Sequence, residues 1–521
     1  MSQNLKNISV VAGTTVVSRV LGLARDLLGA AVFGASALNT AFLTAFRLPN
    51  LFRRLLGEGA LTAAFQPTIQ HELHEHGRER AFVLLNQILS WLLLVTGALA
   101  GVLMLLFSQS RRLPGHGESW YLLADLSVIL MPYVVFVCLA AALGATLNVF
   151  GRFLEPALSP IWLNLAMIVS LGGAGLHFAS TPMGEIHWLC AGVLVGGFLQ
   201  MAVPAGALMH FEGWRPRFDL GLAPRVREVA WLMVPGLWGT AIYQINTYVS
   251  SLLAFSINAS AGTLMFYANR LMELPIGVFA IAISTVIYPL LAKHAIERNF
   301  TGLAEDFRRG VRLILVINIP AAVGLALLAT PIVRFLFQRH NFTAADTQAM
   351  APLLAFYAVG LPFFSVVSLT VRAFYSVKNT KSPVRVATID FVVNLALSLV
   401  LMRWLGAAGL VIASTCAIIT QTWLLQRELR RIIPGLSLAP LAPSLAKIAA
   451  ATVVMGLFVW GGGHAVARLP LAEKGRDFVA IAGLIPAACA LYGGVLLALR
   501  IEGREEFATL FTKLRGRLGR G

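Results

Sequence analysis

Charge is scarce in this 521-residue chain: Asp, Glu, Lys and Arg together make up 12% of it, about half the share of a soluble globular protein. Acids are the scarcer sign, 24 against 41 Lys and Arg, for a formal net charge of +17. So few charges exclude a soluble enzyme, a disordered protein and a coiled coil. Cysteine is nearly absent. Cys138, Cys190, Cys416 and Cys489 each sit inside an apolar run with no CxxC spacing, which excludes a disulfide framework and a thiolate metal site. No GxxxxGKS loop, HExxH or Ser-His-Asp order occurs, so no nucleotide-driven or hydrolytic machinery is encoded by motif. Short alternating segments, the mark of a membrane barrel, are also missing. What is present is apolar: 58% of residues are hydrophobic and the mean hydropathy is +0.77. The chain has room for well over ten spans of about 20 residues. Long continuous runs make those spans α-helical.

The runs predict an all-α polytopic membrane protein with about fourteen transmembrane helices, among them 5–33, 37–68, 81–108, 226–256, 262–292, 310–338, 383–402 and 405–425. Arg19 and Arg25 interrupt the first run and no small-residue cleavage site follows, so it reads as a span rather than a cleavable signal. With the N-terminus inside, 27 of the 41 Lys and Arg fall in cytoplasmic connections and termini, and 8 on the opposite side. That ratio places both ends in the cytoplasm. It also explains the basic balance without a nucleic-acid partner.

The chain repeats weakly. Ala45-Phe46-Arg47-Leu48-Pro49 is echoed by Ala268-Asn269-Arg270-Leu271, with Pro275 close behind. Asn148, Phe150, Pro156 and Asn164-Leu165-Ala166 are echoed by Tyr375, Asn379, Pro383 and Asn394-Leu395-Ala396. The expected organisation is two pseudo-symmetric six-helix lobes, 1–228 and 229–435, followed over 436–521 by two extra transmembrane helices and a basic cytoplasmic tail. Parallel repeats of this kind place a substrate site between halves that alternate access.

Six arginines belong to no connection: Arg19, Arg25, Arg47, Arg53, Arg54 and Arg270. Each would cost about 2.5–3.5 kcal/mol at the bilayer centre even on insertion scales. Arg47, Arg54 and Glu58 fall at i, i+7 and i+11, one face of a regular helix. Asp26 adjoins Arg25, and Glu273 follows Asn269-Arg270 by one turn. Each Arg could pair locally and only hold helices together. As a set, however, six arginines against Asp26, Glu58 and Glu273 leave three positive charges over, and an excess calls for an anion. The planar guanidinium suits phosphate. Asp390, with Asn394 one turn on, is either a helix contact or a cation site for Na+ or H+. Gln244 and Asn246 are weaker candidates of the same kind. The run His71-Glu72-Leu73-His74-Glu75-His76 lacks HExxH spacing and reads as a solvated cytoplasmic loop, with a metal patch as the lesser alternative.

Ser18-Arg19-Val20-Leu21-Gly22-Leu23-Ala24-Arg25-Asp26 resembles the opening helix of the MurJ (MviN) lipid II flippases. So do Phe46 through Arg54 with Glu58-Gly59-Ala60, Asn269 through Pro275, Phe337 through Thr343, and Phe374 through Val384, and the likeness runs the length of the chain. The resemblance implies the multidrug/oligosaccharidyl-lipid/polysaccharide exporter fold. It also implies a bacterial inner membrane and export of lipid II, the undecaprenyl-pyrophosphate-linked peptidoglycan precursor. By the same resemblance, Arg19, Arg25, Arg53 and Arg270 line a central cavity and engage the pyrophosphate. Asp26, Arg47, Arg54, Glu58, Asn269 and Glu273 support it. The family often has Asp at the positions of Thr40 and Asn269. A sodium site of some members is matched only in part by Asp390 and Asn394. The implied partners are lipid II, membrane lipids and cell-wall synthesis proteins, with no cofactor beyond a coupling ion. The competing functions are export of another polyprenyl-linked glycan, drug/ion antiport, and a membrane enzyme. The acids on the external side are too scattered for the enzyme, and a positive cavity does not suit a cationic drug.

Overall fold

The computed structural model describes residues 3–55, 61–110 and 117–502. Among them every regular element is helical and no strand occurs. The chain begins with α1 (Gln3–Phe33), α2 (Ala37–Phe52), α3 (Thr62–Ser108), α4 (Glu118–Leu130), α5 (Tyr133–Val149) and α6 (Leu154–Ile168). Helix starts are written in the sequence. Ser36 accepts the amide of Asn39, Thr181 accepts that of Gly184, and Thr343 and Asp346 form a reciprocal capping box.

Nine helices of the described residues are long and apolar enough to cross a membrane. The count becomes ten if α4 and α5, bent by 41° across Met131 and Pro132, are one broken span. Fewer helices than the fourteen expected spans meet that length and hydropathy among the described residues. α1 is 31 residues long but carries Lys6, Arg19, Arg25 and Asp26, and α2 has only 16 residues. Within the expected span 37–68 the α-helix gives way after Phe52 to a π turn over 53–55, residues 56–60 lie outside the described ones, and the next α-helix starts at Thr62. The expected spans 383–402 and 405–425 both lie within Lys381–Ile432, which is broken at Gly406 (φ 55°, ψ −133°). A Cβ on Gly409 would stand 2.4 Å from the carbonyl oxygen of Leu401. In a straight helix those residues are about 12 Å apart along the axis. The chain therefore doubles back here, and the long element is a helical hairpin.

Two compact units are formed, one from Met1–Thr263 with Arg339–Phe342, the other from Leu264–Gln338 with Thr343–Gly521. In the first, α1 lies along α6, α6 along Pro182–Ala207, α3 along α5, and α2 along α4. Its core gathers Phe65, Ile69, Leu84, Leu85, Leu143 and Trp214. In the second, Phe300–Leu327 packs on both Ala344–Ser376 and Ala442–Ala467, around Phe307, Leu369 and Phe374. The last helices close on Val316, whose carbonyl accepts the Tyr492 hydroxyl at 2.7 Å.

The outer faces are as apolar as the core. Leu105 and Leu106 are each 62% exposed and Trp404 at the hairpin end is 82% exposed. Such faces suit hydrocarbon and its interface, not water. Buried hydroxyls turn back on their own helices, as Thr68 does to Ala64 at 2.8 Å and Thr146 to Ala142 at 2.9 Å. This is how a hydroxyl is satisfied where no water can reach it. The chain is a multi-pass helical membrane protein.

The hairpin makes a testable claim. Gly409→Ala should lower the thermal midpoint in detergent by the equivalent of about 1–3 kcal/mol. Gly461→Ala, with nothing within 4 Å of its Cβ position, should leave it unchanged or raise it. Equal midpoints would mean that the chain does not reverse at Gly406.

Candidate functional site

The arginine on α1 nearest its C-terminal end is held by its own neighbours. Arg25 sets Nη2 at 2.6 Å and Nε at 3.0 Å from Oδ1 of Asp26. Its Nη1 reaches α6, donating to Asn164 Oδ1 at 3.1 Å. Asn164 in turn donates from Nδ2 to the Ser18 carbonyl at 3.2 Å. Asp26 is buried, and Arg25 keeps 15% of its side chain accessible. One amide thus bridges guanidinium and backbone, fixing α1 to α6. Asn164 is 139 residues from Arg25. In the sequence it stands out only as an amide in an apolar run and as a member of the internal repeat, neither of which points to Arg25. Arg19 is different. It is half-buried, lies seven residues from Asp26 on the same helical stripe, and has no hydrogen-bond or ion-pair partner among the described residues.

On α2, Arg47 donates to the Ser251 hydroxyl of the helix Pro224–Ile257, a partner with no sequence signal. Arg53 donates from Nε to Asn50 Oδ1 at 3.1 Å. Of the expected single face through Arg47, Arg54 and Glu58, the described part is Arg47 to Arg54, and it is not a regular α-helical stripe. The α-helix ends at Phe52, three residues past Pro49, whose ring removes a helical donor, and residues 53–55 wind as a wider π turn. Arg54 is exposed and has no partner among the described residues. Glu58 lies outside them.

In the second unit, Arg270 and Asn269 share one carboxylate. Asn269 Nδ2 donates to Glu273 Oε1 at 2.9 Å, and Arg270 Nη1 stands 3.8 Å from Oε2. The amide at 269 makes this arrangement possible, because a carboxylate there would face a like charge one turn away. Arg270 stays one-third exposed. Pro275 ends the helix, and Ile276–Ala280 continues as a π segment.

Thr40, the other position where the resemblance led one to look for an acid, is completely buried. Its hydroxyl meets the Ala259 carbonyl at 2.6 Å and the Thr263 hydroxyl at 2.9 Å. Asp390 is half-buried. Asn394, one turn on, is buried and receives Ser398 at 3.4 Å. Among the described residues no three His, Cys, Asp or Glu side chains converge to hold a metal ion. The stretch His71–His76 is not the loop expected but an exposed helical arm ended by Gly77 (φ 80°). Its acids clasp Arg225, at 3.6 Å from Glu72 and 3.5 Å from Glu75. A hydrogen bond to Glu228 holds the Arg225 guanidinium above its ordinary pKa.

Half-buried and exposed arginines on α1, α2 with the π turn that follows it, and the helix Ala261–Pro275 of a multi-pass membrane protein, only partly matched by local acids, suit a membrane transporter for an anionic substrate. The fold agrees. A solved inward-facing multidrug resistance MATE transporter of the MOP superfamily superposes with a TM-score of 0.66 at 15% identity, over 80% of this chain and 95% of that one. A solved lipid II flippase MurJ in an inward closed conformation gives a TM-score of 0.76 at 25% identity, covering 94% of this chain and 98% of that one.

The family model for lipid II flippase MurJ matches residues 29–469, and the chain belongs to that family. A probable lipid II flippase MurJ of Bdellovibrio bacteriovorus is 34% identical over 516 residues, 96% of this chain and 95% of that protein. The lipid II flippase MurJ of Burkholderia cenocepacia is 30% identical over 413 residues, 77% of this chain and 79% of its own length.

The two α1 arginines should differ in stability cost. Arg25→Ala deprives buried Asp26 of its guanidinium and should cost up to about 3 kcal/mol, whereas Arg19→Ala should cost little. A double-mutant cycle of Arg25→Ala with Asp26→Ala, read by thermal midpoint, should recover a coupling of at least about 1 kcal/mol. Equal losses for Arg19→Ala and Arg25→Ala would contradict the pairing.

Proposed function

We propose that this protein moves lipid II from the inner to the outer leaflet of a bacterial cytoplasmic membrane by alternating access, with both termini in the cytoplasm. Arg19, Arg25, Arg53 and Arg270 engage the pyrophosphate, and Asp26, Arg47, Arg54, Asn269 and Glu273 hold or tune them. Glu58 is assigned to the same supporting group from its place in the sequence. The observation that carries this reading is the surplus of cations, above all Arg19, which has no hydrogen-bond or ion-pair partner among the described residues. Family membership supplies the substrate: the relatives are named lipid II flippases.

The energy source we infer is the membrane potential. A pyrophosphate diester carries roughly two negative charges and leaves a negative interior. At about 2.3 kcal/mol per charge per 100 mV, the outward step gains up to about 4.6 kcal/mol. The return step carries an empty, positive path toward the negative side, which the same field favours. Asp390 and Asn394 would then aid resetting by taking Na+ or H+. Two oxygens on one helix are a small part of a cation shell, so carbonyls or water complete it. Contacts with cell-wall synthesis proteins belong to the same reading.

Two measurements test it. Arg270→Ala should abolish complementation of a depleted strain while still inserting in the membrane. Arg270→Lys should restore only part of it, because the bidentate fork is lost. In proteoliposomes, collapsing the potential with valinomycin and potassium at constant pH gradient should cut lipid II export severalfold. Undiminished export would remove the field as the driving force, and full activity of Arg19→Ala, Arg25→Ala and Arg270→Ala proteins would remove the cluster.

A further inference from the structure

The C-terminus of α1 is finished by a distant piece of chain. A helix leaves its last four carbonyls without intrahelical partners. Here Asn341 donates its backbone N–H to the Ala31 carbonyl at 3.1 Å and its side-chain Nδ2 to the Val32 carbonyl. The donor lies 309 residues further along the chain than Val32. Gly34 follows in the left-handed region (φ 58°), donating to Ala30 at 2.8 Å. Its own carbonyl accepts Asn39 Nδ2 at 2.7 Å. A Cβ on Gly34 would stand 2.3 Å from the Asn341 carbonyl oxygen, so the close approach requires glycine.

The capping piece is the tetrapeptide Arg339–Phe342, which clusters with the first unit although the segments on both sides of it belong to the second. It is a tight turn, with Phe342 N–H donating to Arg339 O at 3.0 Å. His340 is held at φ 48°, a conformation that costs a non-glycine residue energy. Phe342 is buried. A strained residue, two donors aimed at orphan carbonyls and a glycine cut to fit make a built joint.

We propose that Asn341 is a positioning residue for transport: a releasable cap, supplied by a distant part of the same chain, that holds the end of the helix carrying Arg19 and Arg25 and lets go as lipid II is moved. This rests on the alternating-access reading above. α1 makes its own hydrogen bonds everywhere but at its ends. Its terminus is therefore where it can be gripped and released at the cost of two hydrogen bonds, without breaking the helix. Release also relaxes His340, which lowers that cost.

Hydrogen–deuterium exchange on the full-length protein in lipid nanodiscs tests the cap. In the absence of lipid II, the Asn341 amide and the last turn of α1 should exchange slowly in the wild type. In N341A they should exchange roughly tenfold faster, the weight of one ordinary hydrogen bond. G34A keeps both donors but pushes Asn341 away, and should do the same. Adding lipid II to the wild type should speed exchange at amide 341, which a static structural contact would not show. N341A should also export lipid II severalfold more slowly at equal protein amount. Should N341A fail to accumulate, N341D keeps the size and backbone donor but lacks the side-chain donor, and carries the same expectations. Unchanged exchange in the variants, a wild-type rate insensitive to lipid II, or wild-type export by N341A would each overturn the proposal. If the wild type itself moved no lipid II, the flippase reading would fail, while the comparison of variants would still decide whether Asn341 caps α1.

Discussion

Hydrocarbon offers no hydrogen bonds, and most of this structure follows from that. Every polar group placed in a span must bring its partner or face a substrate. Hydroxyls solve the problem locally by bonding one turn back. Guanidinium groups cannot, because five donors in a planar fork exceed what one turn of backbone can accept. Arg25 therefore recruits Asp26 and, across to α6, Asn164. The result is a helix pinned to its neighbour by the group that makes it expensive to insert. The same constraint gives Arg19 its meaning. An Arg without a partner is tolerable only where water or an anionic ligand can reach it.

The neutral residues at positions 40 and 269 change the electrostatics of the path in one direction. Thr40 turns its hydroxyl onto a carbonyl and a second hydroxyl in a dry contact, where an ionised carboxylate would carry a heavy desolvation cost. Asn269 donates to Glu273 and so satisfies part of that carboxylate without adding charge. Neither position carries a negative charge. On the proposed reading, a path for a polyprenyl pyrophosphate would gain from this in attraction, with the membrane field compensating on release.

Composition, hydropathy and the Lys/Arg distribution were enough to read an all-helical membrane protein, and the local motifs were enough to read its family. These properties are summed over many residues or carried by contiguous ones. The pairs that span one turn or less, Arg25 with Asp26 and Arg270 with Glu273, were also legible, since helical periodicity alone brings them together. The regular stripe through Arg47 and Arg54 was not realised, because the wider turn that begins at residue 53 changes which residues share a face.

What only the tertiary structure decided is where each donor goes once its own helix cannot satisfy it. Nothing in the order of residues says that Asn164 answers Arg25, that Ser251 answers Arg47, or that Asn341 closes α1. Nor does it say that Lys381–Ile432 turns back at Gly406. The sequence by itself determined which groups were too polar for their surroundings. The partners lie more than a hundred residues away, so they are set by how helices pack, and packing depends on the shapes of whole faces rather than on spacing along the chain.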